Sequence, residues 1–232
     1  MKEYRFDLDV LKAIAIIAVV LYHLELLSTG YLGVDVFFVI NGFLIVPSII
    51  RKIDEGTFSY FSFLWKRVMR LFPVLVIACY FCFLMSYWGM LPNDLDKLCA
   101  SIVATELFSN NLLSLHSIKD YWDTWDNFKP LMHTWYLGIL FEFYLGFPLV
   151  MLIIKYIQRK TNNNFNKCAF FFILIVAILS LLLYISNIMD YGYKFYLLPC
   201  RLYEILGGGL IGMIFHNHQN TKGQLGNVAL LA

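Results

Sequence analysis

Lys12 and His23 are ionisable residues in the first apolar stretch of the chain, where a charged group is costly. Lys12 and His23 are eleven residues apart, so on one α-helix they differ by about 20° in direction and lie ~16 Å apart along the axis. They therefore face the same side, with a cation near one end and a titratable base toward the other. This layout suits an anionic donor that delivers a group across a bilayer. The alternative is a snorkelling lysine and an interfacial histidine.

A second basic motif precedes the third apolar stretch. Arg67 and Arg70 are three residues apart and share one face of a helix. Two guanidinium groups at this spacing can grip phosphates with fork geometry. A cluster that only fixes membrane topology reads the same way in sequence, so both interpretations stay open.

The remaining ionisable residues in apolar stretches are candidates because insertion of each costs roughly 2.5–3.5 kcal/mol. Arg201 and Glu204 are spaced to pair on one helix face, which favours a structural role. The three glycines that follow, 207–209, would let another helix approach closely. His133 and Glu142 complete this group.

Two polar residues fall in the second apolar stretch. Asp35 and Asn41 lie about one and a half helical turns apart. They could orient His23, or they could form hydrogen bonds between helices.

The composition excludes a water-soluble domain. Of 232 residues, 60% are hydrophobic and 15% are charged, against about a quarter charged in soluble domains. The sequence contains no basic groove pattern with stacking aromatic residues, so it does not indicate nucleic-acid binding. The sequence therefore predicts an all-α, polytopic transmembrane helical bundle.

Six segments are long enough to cross a hydrocarbon core, which takes about 20 helical residues. A seventh begins near Leu225 and is cut off at Ala232, so residues 1–232 are predicted to form a single membrane domain that is incomplete at its C-terminus. The first segment lacks a cleavage pattern and is predicted to be a retained span rather than a signal peptide. The six are Val10–Leu27, Tyr31–Ile50, Leu71–Leu91, His133–Ile154, Ala169–Ile188 and Leu197–Phe215.

The distribution of positive charges predicts a cytoplasmic N-terminus. If Leu98–Leu115 does not cross, most Lys and Arg residues lie inside, which is the expected bias. Only Lys97, Lys119, Lys129 and Lys194 then lie outside. Leu98–Leu115 is accordingly predicted to be interfacial or re-entrant, within an outer loop from Pro92 to about Met132.

Five separated motifs together resemble the acyltransferase-3 family. They cover nearly the whole chain in the family's order. The motifs are Leu11–His23, Gly33–Ile45, Lys66–Pro73, His133–Gly138 with its Trp135, and Arg201–Glu204 with the glycines after it.

The resemblance implies a multi-pass enzyme of the bacterial inner membrane. Such enzymes move an acyl group, often acetyl, from cytoplasmic acyl-CoA to a sugar hydroxyl of an envelope or secreted glycan. It also implies donor handling by Lys12, Arg67 and Arg70. His23 would be a general base or a transient acyl carrier, since imidazole suits both roles. Supporting roles fall to Asp35, Asn41, His133, Trp135, Glu142, Arg201 and Glu204.

Three departures from the family pattern indicate a variant branch. Lys12 stands where arginine is usual, and Asn41 stands where serine is usual. The usual acidic position after His-Thr-Trp is Leu140, and the acid appears two residues later as Glu142. A catalytic role for Glu142 is therefore left open.

The expected partners are acyl-CoA as donor substrate, a glycan or glycolipid acceptor, and the lipid bilayer. We expect no nucleic acid, no metal and no permanently bound cofactor, and a homo-oligomer is possible. Two other classes share the buried charges. A transporter or flippase is expected to show paired halves with broken helices, and none is visible; a non-catalytic membrane protein that binds glycans stays open.

Overall fold

The computed structural model describes residues 6–117, 130–161 and 164–229, and all regular structure in these ranges is helical. A 3₁₀ turn at Met132–Thr134 leads into α6. The helices are α1 (Phe6–His23), α2 (Leu32–Asp54), α3 (Tyr60–Tyr87), α4 (Pro92–Glu106), α5 (Asn110–Ser117), α6 (Trp135–Thr161), α7 (Phe165–Ile185), α8 (Tyr191–Tyr196) and α9 (Leu198–Ala229).

Among the described residues, five helices are long and apolar enough to cross a membrane. This confirms the predicted all-α, multi-pass membrane architecture. The α7 segment is the most apolar, with a mean hydropathy of 3.0. The five stretches are Leu32–Asp54, Tyr60–Tyr87, Met132–Arg159, Phe165–Ile185 and Leu198–Phe215.

One of the six predicted spans, Val10–Leu27, is not among those five helices. Its helix is α1, which starts earlier and ends at His23, because the next four residues form a turn. Asp7, Asp9 and Lys12 put three charges into the first half of these 18 residues. The predicted count of six complete spans is therefore not confirmed.

The predicted start of a seventh segment near Leu225 falls inside a continuous helix. The backbone of α9 runs as one helix to Ala229, so the segment expected to begin near Leu225 continues the preceding helix. The intervening residues are polar but include no proline, the residue that most strongly breaks a helix.

The chain divides into two compact units. The first unit holds the described residues of Met1–Thr57, Met151–Leu182 and Arg201–Ala232. The second unit holds those of Phe58–Val150 and Leu183–Cys200.

Glycines set the contact between α2 and α9 in the first unit. A Cβ added at Gly42 would lie 1.7 Å from the Ile205 carbonyl oxygen. A Cβ at Gly208 would lie 2.0 Å from the Val39 carbonyl oxygen. The two backbones thus approach directly, as small residues allow in membrane helices. This confirms the close approach predicted from the run of glycines.

The contact between α1 and α2 uses the same device. A Cβ at Gly30 would lie 2.1 Å from the Ala18 carbonyl oxygen, and one at Gly33 would lie 2.4 Å from that of Ala15. Ala15 is buried at this contact. The start of α2 therefore fixes the face that α1 turns toward it.

An ion pair joins the ends of three helices in the first unit. Asp54, the last residue of α2, accepts hydrogen bonds from Lys155 of α6 and from Asn166 of α7. The Lys155 ammonium also lies 4.7 Å from the centroid of the Phe165 ring. These contacts hold the three ends together.

In the second unit, the segment predicted to be interfacial or re-entrant forms two short helices. They are α4 and α5, separated at Leu107–Ser109, where Phe108 has a positive φ of 53°. At ~1.5 Å per residue neither helix can cross a core of ~30 Å. As predicted, the segment does not form one spanning helix. The part of the predicted outer loop at 118–129 lies outside the described residues.

We predict that Gly208→Ala destabilises the protein by about 1–3 kcal/mol, because the added methyl group forces α2 and α9 apart. Gly207→Ala is the matched control, since a Cβ there meets nothing within 4 Å. Thermal unfolding of the detergent-solubilised variants measures the difference. Equal unfolding temperatures for the two variants would contradict the packing argument.

Candidate active site

Lys12 and His23 lie on one continuous helix, so the spacing argued from sequence applies to them directly. Measured around the axis from Ala15, which packs against α2, Lys12 lies at about 60° and His23 at about 80°. Both residues therefore stand at the margin of the face that contacts α2. His23 is exposed and Lys12 is partly buried.

Lys12 has an ion-pair partner on its own helix. Its Nζ donates to Asp9 Oδ1 at 3.0 Å, and the two side chains are 35% and 40% exposed. Pairs as exposed as this contribute roughly 0–1 kcal/mol. An anionic ligand can therefore replace Asp9 at little cost.

His23 is the last residue of α1, and a hydrogen-bonded turn fixes that end. The Leu26 N–H donates to the Leu21 carbonyl at 2.9 Å, and the Glu25 N–H donates to the Tyr22 carbonyl at 3.0 Å. This pair of bonds is a Schellman motif, which favours glycine at its left-handed position. Glu25 occupies that position with φ of 60°, at a cost of roughly 1–2 kcal/mol. The turn sets where the imidazole leaves the helix.

Arg201 and Glu204 form the predicted pair and recruit Asp35. Arg201 Nη1 donates to Glu204 Oε1 at 2.7 Å and to Asp35 Oδ1 at 3.3 Å. Arg201 and Glu204 are each 5% exposed. This triad lies wholly in the first unit and joins α2 to α9.

The two expectations for Asp35 and Asn41 have different outcomes. Asp35 pairs with Arg201, so it serves the contact between helices. Asn41 Nδ2 donates at 2.9 Å to the carbonyl of Phe37, four residues earlier in α2. Asp35 thus bonds to α9, and Asn41 bonds to the backbone of its own helix.

In the second unit, Arg67 lies against two aromatic rings. Its guanidinium carbon is 5.4 Å from the Phe63 ring centroid and 5.5 Å from that of Tyr144. Arg70 follows on the same face of α3 and is exposed. On this face of α3, Arg67 is held by aromatic residues and Arg70 is exposed.

Glu142 has a partner that sequence reasoning missed. Asn111 Nδ2 donates to Glu142 Oε1 at 2.8 Å and to the Tyr196 carbonyl at 3.2 Å. Asn111 is fully buried, and a Cβ at Gly138 would lie 2.2 Å from its Oδ1. The sequence signal was an asparagine pair in a segment that is apolar in parts. Glu142 is thereby tied to α5 and to the residues before α9.

The His133-Thr134-Trp135 motif divides into an exposed and a buried part. His133 is exposed in the 3₁₀ turn. Thr134 Oγ1 shares a hydrogen bond of 2.8 Å with Thr105, and accepts one of 2.6 Å from Asn110. Trp135 is buried, with its ring centroid 4.5 Å from that of Phe195. The threonine and tryptophan therefore fasten the start of α6.

The predicted site residues fall into both units. Within the residues that the structure describes, no group of three or more His, Cys, Asp or Glu side chains could hold a metal ion. The first unit contains Lys12, His23, Asp35, Asn41, Arg201 and Glu204, and the second contains Arg67, Arg70, His133, Trp135 and Glu142.

Residues 5–232 match the acyltransferase domain of the acyltransferase-3 family. The chain belongs to that family. The match covers all eleven predicted site residues and confirms the resemblance and the general class, an acyltransferase domain.

Two relatives illustrate the range of this similarity. A Haemophilus influenzae protein, named only as uncharacterized, is 32% identical over 189 residues, which are 80% of this chain and 76% of that protein. O-acetyltransferase OatA of Staphylococcus aureus is also 32% identical over 189 residues. That match takes in 77% of this chain but 29% of OatA, so the chain spans less than a third of that relative. No solved structure matches the chain.

We predict that Arg201→Met destabilises the protein by about 3–5 kcal/mol, because it leaves the carboxylates of Asp35 and Glu204 without their cation. The double variant Arg201→Met/Glu204→Met removes the deeply buried carboxylate as well and should recover more than half of that loss. Unfolding curves in detergent measure both. A double variant no more stable than Arg201→Met would contradict the pairing argument.

Proposed function

We propose that the protein transfers an acyl group, acetyl in the first instance, from cytoplasmic acyl-CoA to a hydroxyl of an envelope or secreted glycan. The observation that carries the proposal is the family match over residues 5–232, which includes every residue of the predicted donor and transfer sites. The proposed location is the bacterial inner membrane, with the N-terminus in the cytoplasm. The name of OatA supports acetyl as the group transferred to oxygen.

The proposed donor residues are Lys12, Arg67 and Arg70. Acyl-CoA carries several phosphate charges, and guanidinium groups bind phosphate through paired N–H donors. Arg70 is exposed, and Arg67 is partly exposed. The exposed ion pair of Lys12 with Asp9 can exchange its carboxylate for a phosphate at small cost.

His23 is proposed to act on the acyl group by one of two balanced routes. As a general base, its imidazole takes the proton of the acceptor hydroxyl while the oxygen attacks the thioester carbon. The C–S bond then breaks, and the proton passes to the departing thiolate of CoA. As a carrier, its ring nitrogen attacks the thioester carbon, the C–S bond breaks, and the ring N–H proton passes to the departing thiolate. The acceptor hydroxyl then attacks the acyl-imidazole, the C–N bond breaks, and the hydroxyl proton returns to the ring. In both routes the products are the glycan ester and free CoA.

The proposed partners follow from this chemistry. They are acyl-CoA, a glycan or glycolipid acceptor and the surrounding lipid, with no nucleic acid and no permanently bound cofactor. A homo-oligomer is compatible with the proposal, and the transfer does not require one.

We predict that His23→Gln lowers acyl transfer by roughly 10²–10⁴-fold if histidine is a general base, and by more if it carries the acyl group. Transfer of labelled acetyl from acetyl-CoA to glycan in membranes measures this. Lys12→Arg should keep activity, because the charge is retained, and Lys12→Ala should weaken the use of the donor.

One control and two possible outcomes make the result specific. Expression and membrane insertion of His23→Gln must equal those of the parent protein. Near-normal acylation by that variant would refute the role of His23. Absence of acetyl-CoA hydrolysis, exchange and transfer in the parent protein would favour a non-catalytic glycan-binding protein or a transporter.

The proposed topology makes a separate prediction. In a background without the five native cysteines, single cysteines at Ser62 and Thr124 should react with a membrane-impermeant reagent from opposite sides. Ser62 lies in the first turn of α3, and Thr124 lies outside the described residues. The physical reason is the excess of Lys and Arg on the proposed cytoplasmic side. Labelling of both from one side would overturn the orientation.

A further inference from the structure

One face of α3 is fastened to α6 within the second unit. Tyr60, Phe63, Arg67 and Arg70 follow one another at spacings of three, four and three residues, which places them on one side of a helix. The Tyr60 hydroxyl donates to the Leu145 carbonyl at 3.2 Å. The Phe63 ring meets the Tyr144 ring edge to face, with centroids 5.9 Å apart and planes at 86°. This face therefore has a fixed partner.

Arg67 lies next along that face, over the corner that the two rings form. Its guanidinium is within 5.5 Å of both ring centroids, inside the ~6 Å range in which the ring quadrupole attracts a cation. Tyr144 is 4% exposed, whereas Arg67 is partly exposed. The contact is thus buried on the side of Tyr144 and partly exposed at Arg67.

This arrangement fits a phosphate-binding arginine. A free arginine side chain has many rotamers, and part of this conformational freedom is lost when it binds a phosphate. Rings that already confine the guanidinium remove part of that loss before the ligand arrives. Contact with a ring uses the positive charge but leaves in-plane N–H groups available for phosphate oxygens.

We propose that Tyr144 and Phe63 are positioning residues that hold Arg67 for the phosphates of the donor. The proposal rests on the proposed function, because it assigns Arg67 to acyl-CoA. Its specific content is that the aromatic rings, and not the tyrosine hydroxyl, set the affinity for phosphate-bearing donors.

The test compares variants of the purified protein in the binding of coenzyme A, with pantetheine as a phosphate-free probe. Tyr144→Leu should raise the Kd for coenzyme A by about 3- to 10-fold, since it removes one of the two rings that attract and confine the cation. Tyr144→Phe keeps the ring and should stay within about twofold of the parent. Binding of pantetheine should change in neither variant.

Phe147→Leu is the matched control for loss of an aromatic side chain from α6. Phe147 is buried and stacks on Phe143, with centroids 4.8 Å apart, so the same change is made without removing either ring that holds Arg67. If Tyr144→Leu fails to fold, Phe63→Leu removes the other ring from a partly exposed position. It should raise the Kd in the same way.

The outcomes separate this proposal from the proposed function. If Arg67→Gln weakens coenzyme A binding but Tyr144→Leu and Phe63→Leu do not, the positioning role is wrong and the donor site stands. If Tyr144→Phe weakens binding as much as Tyr144→Leu, the hydroxyl is responsible and the proposal fails. If Arg67→Gln binds coenzyme A normally, the donor site itself is wrong. Equal losses for pantetheine, or for Phe147→Leu, would reduce Tyr144 to a packing residue.

Discussion

The direct backbone contact between α2 and α9 determines where the buried charges of the first unit can be. Asp35, Val39 and Gly42 share one face of α2, and Arg201, Ile205 and Gly208 share one face of α9. The glycines bring carbonyl groups of the opposite helix within contact distance. Because no side chains separate the helices there, Arg201 reaches across to Asp35 while it also holds Glu204. The ion triad is thus one end of the glycine contact.

Burial makes this triad dependent on its geometry. Desolvation of a charge costs several kcal/mol, and a nearby opposite charge offsets it only when the hydrogen bonds are well formed. The Arg201–Glu204 pair lies within α9, so a small separation of α2 from α9 would break only the bond from Arg201 to Asp35. Packing of small residues and pairing of large charged ones therefore stabilise the same helix contact.

The spacing of residues predicted the helices and the ion pair within one helix. It did not predict contacts between residues that are distant in sequence. The helices of the five membrane-crossing stretches follow from apolar length, and the Arg201–Glu204 pair follows from a spacing of three residues. The partners Asp35 of Arg201 and Asn111 of Glu142 lie 166 and 31 residues away, where periodicity carries no information. The end of α1 was misplaced because apolar residues continue after His23, while the backbone turns at Glu25.

The exposure of the predicted site residues separates those that can bind a ligand or accept a proton from those that stabilise the fold. A group that binds a phosphate or accepts a proton must be able to exchange its partner, and a buried, fully paired charge cannot do so cheaply. Arg201 and Glu204 are buried and paired with each other, and we therefore assign them to the framework. His23 and Arg70 are exposed, and the ion pair of Lys12 with Asp9 is also partly exposed. Arg67 is held in place and can still bind a ligand, because the contacts with the two rings do not use its N–H donors.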